Sequence, residues 1–383
     1  MARVFLIAGE SSGDLHGGNL VRALCDFDGA IECEGLGGQH MAAAGMSLRH
    51  DLAGEAIMGF TEVVKSLGKI HRLFNETVDY LGENAPDCLV LIDYPGFNIR
   101  VARRAHALGI PVVYYISPQV WAWKKGRVRT LARIIDKMLV ILPFEEALYR
   151  EAGLECAYVG HPLLDHIATI PRKSLFREGL VIGLLPGSRE QEIRRLLTVM
   201  LDVAGGIRQR HPEARFVAPC VDAERESQIR AMAGDFPLET VIQGAYEVLD
   251  GARFCLVASG TATVETAVFG TPMAILYRVS PLSYWLARLL VDVEHIGMVN
   301  ILAGRRIVPE FVQHEARADR VLSAALELIE DTPARAQMVH DLAEVRAVLG
   351  EPGASVRAAN EILKVIEGRG TKPPVRERQR GVG

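Results

Sequence analysis

The sequence predicts two doubly wound, Rossmann-like α/β domains in tandem, and three observations carry that prediction. Short apolar runs without polar alternation recur along the chain. Each leads into a Gly-, Pro- or charge-bearing loop and then a helical pattern, as a parallel sheet covered on both faces requires. The pattern breaks at Ile170-Pro171-Arg172-Lys173 and restarts. The length of 383 residues exceeds what one hydrophobic core organises,. Two such domains are expected to face each other across a cleft, with ligands at the carboxyl ends of the strands.

In chain order, strands of the first domain are expected at 4–8, 31–35, 88–92, 112–116, 138–142 and 157–159, with helices such as 15–25 and 98–108 between them. After the break, strands are expected at 181–185, 215–219, 240–243, 254–258 and 273–277, with a long helix at 191–209. The stretch 59–78 carries Phe60, Val63, Val64, Leu67, Ile70 and Phe74 at helical spacing, beside Lys65, Lys69 and Arg72. That stripe suits core packing or a helix lying on a membrane surface, and the spacing leaves both open. The helical stretch after Asp331 is not placed by pattern. The last residues, 369–383, rich in Pro, Gly and Arg, are expected to form a disordered basic tail,.

Composition excludes several classes. Apolar residues make up 49% and charged residues 23%, as in a globular enzyme-like protein,. The net charge is −4, and nothing outside the basic tail suggests a nucleic-acid footprint,. The six cysteines are scattered, without Cys-x-x-Cys or zinc spacing, so reduced thiols, no disulfide, no metal and a cytosolic setting are expected,. No apolar run has the length of a membrane span or a signal peptide,.

Five loops look chemical. Gly9-Glu10-Ser11-Ser12-Gly13-Asp14 joins the first strand to the first helix, and its small residues let amides approach a phosphate or hydroxyl-rich ligand,. A capped tight turn is the plain alternative, and His16 beyond it is left unassigned. Asp93 ends the run Val90-Leu91-Ile92, where desolvation raises a carboxyl pKa toward that of a general base; capping a turn is its alternative,. Ser117-Pro118-Gln119-Val120-Trp121-Ala122-Trp123 pairs two of the three tryptophans just ahead of a cationic cluster. Pro186-Gly187-Ser188-Arg189 sets amides, a helix dipole and a guanidinium together, a combination suited to a diphosphate,. Ser259-Gly260-Thr261 opens another helix, in which Glu265 suits ribose hydroxyls or a capping role,.

Taken together, these stretches resemble the lipid-A-disaccharide synthase family of bacterial GT-B glycosyltransferases. The match also includes Met58-Gly59-Phe60, Leu142-Pro143-Phe144-Glu145, Gly160-His161-Pro162 and Asn300-Ile301-Leu302-Ala303-Gly304-Arg305, and Ser-Pro-x-Val-Trp-Ala-Trp is its most specific part. The resemblance implies an inverting transfer of 2,3-diacylglucosamine from UDP to the 6-hydroxyl of 2,3-diacylglucosamine 1-phosphate (lipid X). By similarity Asp93 is the base and Arg189, with the Gly187 and Ser188 amides, receives the leaving diphosphate. Ser259, Gly260, Thr261, Glu265, Tyr277 and Asn300 would hold the nucleotide. Gly9, Glu10, Ser11, Ser12, Gly13, Ser117 and Trp121 would line the acceptor side.

No cofactor or metal is implied. The partners implied are the two acylated substrates and the cytoplasmic face of the inner membrane, docked through Phe60, Val63, Val64, Leu67 and Ile70; a homodimer stays open. The domains would be 1–170 for the acceptor and 171–345 for the UDP-sugar, with a helix in 346–368 returning to the first. One departure is Gly96, where some members carry a second carboxylate. Competing readings are another UDP-sugar GT-B enzyme, such as a peptidoglycan N-acetylglucosaminyltransferase or an epimerase, and a non-catalytic nucleotide- or lipid-binding protein.

Overall fold

The computed structural model describes residues 2–27, 31–56, 63–118, 126–170, 176, 178–280, 284 and 294–369. The chain forms two compact units, one of Met1–His166 with Glu351–Gly383 and one of Ile167–Gly350. In the first, seven parallel strands run β1 (Ala2–Ala8), β2 (Ile31–Gly37), β3 (Ser47–Asp51), β4 (Cys88–Ile92), β5 (Val112–Tyr115), β6 (Lys137–Val140) and β7 (Cys156–Tyr158). Their order in the sheet is β3-β2-β1-β4-β5-β6-β7. In the second, β8 (Val181–Leu185), β9 (Arg215–Cys220), β10 (Leu238–Ile242), β11 (Phe254–Ala258), β12 (Met273–Tyr277) and β13 (Glu310–Val312) stand in the order β10-β9-β8-β11-β12-β13.

Both sheets thus reverse their winding once, between β1 and β4 and between β8 and β11. At such a switch point the helices after the two strands leave on opposite faces and open a crevice for a ligand. The central strands have the composition this demands. Every residue of β4, β5, β8 and β11 is buried, because helices cover both faces,. One apolar layer, with Phe5, Ile7, Leu91, Val101 and Tyr114, lies on one face of the first sheet; another, with Leu6, Ile92, Leu20 and Tyr115, lies on the other.

The last described helix, Ala354–Arg369, belongs to the first unit, where Ala358, Ala359 and Ile362 enter the core beside Leu20 and Val90. Asp165 binds its N-terminus, accepting from the Gly353, Ala354 and Ser355 amides at 2.5, 3.0 and 2.8 Å. Lys137 of β6, nearly buried, is held by Glu361 of that helix at 2.5 Å and by Glu155 at 2.7 Å.

Several boundaries differ from the sequence reading. The second unit continues to Gly350, since the helix Pro333–Val348 buries Met338, Leu342 and Val345 in that unit's core. The helix expected at 59–78 is described over Val63–Asn84. Two edge strands, β3 and β13, had not been anticipated. Residues 370–383, almost all of the expected tail, lie outside the described residues. No described helix is long and apolar enough to cross a membrane.

Candidate active site

The first switch point places Asp93 directly after the fully buried β4. Asp93 and Tyr94 both have φ of +47°, a left-handed conformation that costs a non-glycine residue about 1–2 kcal/mol,. Three hydrogen bonds hold it. The Asp93 carbonyl accepts from Asn98 Nδ2 at 2.8 Å and from the Tyr114 hydroxyl at 2.5 Å. The Asp93 amide donates to the Tyr115 carbonyl at 3.1 Å. Asn98 and Tyr114 are themselves fully buried, so the turn is anchored in the core.

The turn lays the Tyr94 ring against Gly9, where an added Cβ would stand 2.2 Å from a ring carbon. Gly9 is therefore required by close approach, and the two loops of the switch point pack as one surface. Burial first, and the nearby Glu10 carboxylate second, push the Asp93 carboxyl up to about 6 against the opposing Tyr94 amide. A partly buried carboxylate that titrates just below neutrality suits proton abstraction from an alcohol at physiological pH.

Glu10, Ser11 and Ser12 are exposed at the start of the helix Ser11–Phe27, and Gly13 is buried beneath them. Asp14, in the first turn of that helix, caps a different one. It accepts from the amides of Gly38, His40 and Met41 at 2.8, 2.9 and 3.1 Å, outside the site. His16 is half-buried with His161, His166 and Asp165 around it; desolvation, then His166, lower its pKa to about 4, so it is neutral at physiological pH. Nothing within 4 Å meets a Cβ at Gly96, so the missing second carboxylate is not a matter of space.

Ser117 is buried and donates its hydroxyl to Glu145 at 2.6 Å, while Tyr149 donates to the Pro118 carbonyl at 3.2 Å. Ser117 thus pins the start of its loop. Trp121 and Phe60 lie outside the described residues, as do the side chains of Val63, Val64 and Leu67. Ile70 is half-buried and packs beside Phe74 against the core of the first unit.

The second switch point carries the other half of the candidate residues. Gly187 has φ of +105°, and an added Cβ would stand 2.4 Å from a Glu192 carboxylate oxygen, so both conformation and space require glycine. Ser188 and Arg189 are exposed ahead of the helix Glu190–Arg210. Arg189 pairs with Glu192 at 3.0 Å across one helical turn. Opposite, after β11, Gly260 and Thr261 are exposed, and Ser259 donates to the Ile296 carbonyl at 3.2 Å. Thr263 is the local structural residue, donating to the Gly260 carbonyl at 2.8 Å.

Glu265, one turn into that helix, accepts from the Tyr246 hydroxyl at 3.0 Å, and burial raises its pKa. Tyr246 was missed: it stands 19 positions away on another helix, and no spacing rule links the two. Tyr277 is half-buried, close enough to Glu192 for that carboxylate to raise its pKa further after burial does. Asn300 is a correction. Its Nδ2 donates to the Val308 carbonyl at 2.9 Å and to Glu310 at 2.8 Å, and its Oδ1 accepts from the Ile307 and Val308 amides at 2.8 and 2.9 Å. Fully buried and saturated, it shapes a loop and has nothing left for a nucleotide,. Glu310 completes that clamp, accepting from the Ile296 and Gly297 amides at 3.0 and 2.9 Å. Among the described residues no group of three His, Cys, Asp or Glu is arranged to hold a metal.

Two doubly wound parallel-sheet units in tandem give the chain the GT-B fold. Solved structures of similar fold agree. The S. aureus MnaA–UDP complex superposes with a TM-score of 0.68 at 14% identity, covering 97% of this chain and 99% of that one. UDP-GlcNAc 2-epimerase from Neisseria meningitidis, bound to UDP-GlcNAc, gives 0.65 at 12% identity, covering 95% and 100%. At such identities they establish the fold alone.

Sequence relatives are far nearer. The sequence model of the lipid-A-disaccharide synthetase family matches residues 4–364. The lipid-A-disaccharide synthase of Syntrophus aciditrophicus is 42% identical over 374 residues, 95% of this chain and 98% of its own. That of Myxococcus xanthus is 39% identical over 373 residues, 95% and 97% of the two chains. The chain belongs to the lipid-A-disaccharide synthase family.

Proposed function

We propose that the chain transfers 2,3-diacylglucosamine from its UDP carrier to the 6-hydroxyl of 2,3-diacylglucosamine 1-phosphate. The products are the β-1,6-linked disaccharide 1-phosphate and UDP. The observation that carries this reading is Asp93, in a family of this name, at the carboxyl end of a buried strand and titrating near 6. In the proposed step Asp93 takes the proton of the acceptor 6-hydroxyl as its oxygen attacks the donor's anomeric carbon. The bond to UDP breaks on the opposite face, which inverts the α-linkage to β. Negative charge moves onto the diphosphate, where Arg189 and the Gly187 and Ser188 amides receive it. A positioned donor of this kind is worth roughly 2.7–4 kcal/mol in comparable sites. No metal or cofactor is needed, since the guanidinium and amides meet the charge a metal would otherwise meet.

Glu265, held by Tyr246, accepts ribose hydroxyls, with Ser259, Gly260, Thr261 and Tyr277 around the nucleotide. Glu10, Ser11 and Ser12 face the acceptor. Because both substrates carry acyl chains, the enzyme works attached to the cytoplasmic face of the inner membrane, docked through the beginning of the helix Val63–Asn84 and the residues before it. Mass spectrometry of the product formed from the two acylated glucosamine substrates tests the reaction. Equal turnover of unacylated UDP-N-acetylglucosamine would refute it and favour another UDP-sugar enzyme. Arg189→Ala is expected to lower turnover about a hundredfold. A loss below about threefold would remove Arg189 from its role.

A further inference from the structure

Glu192 stands among the groups assigned to the leaving diphosphate, although it carries the same sign of charge. Its Oε1 accepts from Arg189 Nη1 at 3.0 Å, and its Oε2 accepts from the Arg189 amide at 3.4 Å. The same carboxylate lies over Gly187, where an added Cβ would come within 2.4 Å of Oε2. Tyr277, placed beside the nucleotide, is near enough for the Glu192 charge to raise its pKa, second to burial. One side chain thus covers the guanidinium, a backbone N–H and the glycine surface on which phosphate oxygens are proposed to rest.

Helix architecture accounts for the position of this side chain and not for its charge. A Glu or a Gln at the third helical position completes a capping box equally well, by accepting from the amide at the helix start. The pair with Arg189 is an exposed one, its side chains 77% and 36% accessible. Such pairs contribute little to stability. What draws an acid there is the amide groups and dipole of the helix Glu190–Arg210, the same attraction that draws a phosphate,. Carboxylate and diphosphate therefore seek one set of partners.

We propose that Glu192 competes with the diphosphate for Arg189 and the Gly187 loop, and that this competition expels UDP after transfer. The inference rests on the diphosphate reading of this loop and deepens it. In the donor the diphosphate is esterified at both ends, with one negative charge on each phosphate. Cleavage at the anomeric carbon leaves UDP with a terminal phosphate that takes a further negative charge above about pH 6. A carboxylate fixed beside that phosphate repels the product more than the donor. It therefore weakens UDP binding with less effect on the donor, and Arg189 returns to Glu192 as UDP departs.

The test is isothermal titration of the full chain with UDP, beside initial rates with the acylated UDP-glucosamine donor, for wild type and Glu192→Gln. Gln keeps the capping hydrogen bond and removes the charge. Glu192→Gln is expected to bind UDP about tenfold more tightly and to lower the donor KM by no more than about threefold. In an Arg189→Ala background the same substitution is expected to gain less than about twofold, because the contested partner is gone. A residue that only caps the helix would not show that dependence. UDP affinity unchanged or weakened by Glu192→Gln would overturn the proposal, as would a tenfold gain that survives the loss of Arg189. An equal gain for donor and UDP would overturn the role in release. Arg189→Ala binding UDP as tightly as wild type would remove the diphosphate reading itself, and this proposal with it. If melting curves show that Glu192→Gln does not fold, Glu192→Ala is expected to tighten UDP binding to a similar degree, and a loss of affinity there would sink the idea.

Discussion

Asp93 illustrates how a residue is made useful at the expense of stability. Its carboxyl titrates near 6 because burial and Glu10 both oppose the ionised form. A folded-state pKa above the unfolded value means the folded chain holds that proton more tightly. Its contribution is therefore most favourable below about pH 4 and turns against folding as pH rises through 6,. At pH 7 ionised Asp93 costs on the order of 1–3 kcal/mol. Asp93→Asn is expected to raise the melting temperature while lowering turnover by about a hundredfold or more. A variant that loses activity and stability together would mean the carboxylate is structural. The same cause predicts the pH profile: kcat/KM should fall on the acid side with an inflection near 6. Glu10→Gln removes the second contribution and should move that inflection to lower pH; an unmoved limb would exclude Glu10 as the tuning charge. At this scale the sequence names the acid, because a carboxylate ending an apolar run stands out. It does not name Glu10 or Tyr114 as its support, since those meet it only when β1, β4 and β5 pair. Asn300 misled for the related reason that a motif match carries no information about which side-chain atoms are already satisfied.

Elements were legible in proportion to their burial. The central strands read as uninterrupted apolar runs because helices cover both their faces, and their expected bounds agree closely with β1, β4, β8, β11 and β12. The edge strand β3, Ser47-Leu48-Arg49-His50-Asp51, is half exposed and polar, and β13 has only three residues. Neither contains the apolar run that marks a covered strand. The C-terminal helix was expected to return to the first domain only by family resemblance; its physical anchor is Asp165, far away in sequence. An acceptor for three consecutive amides at a helix start complements both the unpaired N–H groups and the dipole. Asp165→Ala is expected to cost about 1–2 kcal/mol and to speed amide exchange chiefly at the start of Ala354–Arg369. Uniform acceleration throughout the first unit would show that the aspartate supports the whole core and not this helix end.

For the whole molecule, the two units have separate apolar interiors. The clusters around Phe5 and Val4 draw only on residues of the first unit, and the cluster around Ile182 only on residues of the second. Length and the break near Pro171 made that division readable, whereas the crossing back at residue 350 was not, because the helix before it and the helix after it have similar composition and join different cores. Separate interiors make stability a property of each unit, and that gives a test of which one takes the nucleotide. A ligand that binds only the folded form stabilises the unit it contacts by RT ln(1 + [L]/Kd), about 2.7 kcal/mol at a hundredfold excess over Kd. Every residue proposed for the nucleotide, from Gly187 to Tyr277, lies within Ile167–Gly350. Calorimetry of the full chain is therefore expected to resolve two transitions, with UDP raising one and leaving the other within error, and proteolysis during the scan should place the protected fragment within 167–350. Arg189→Ala should shrink that UDP-dependent shift while leaving both transitions of the free protein in place. Protection of fragments from the first unit alone would reverse the assignment of donor and acceptor between the two halves of the chain.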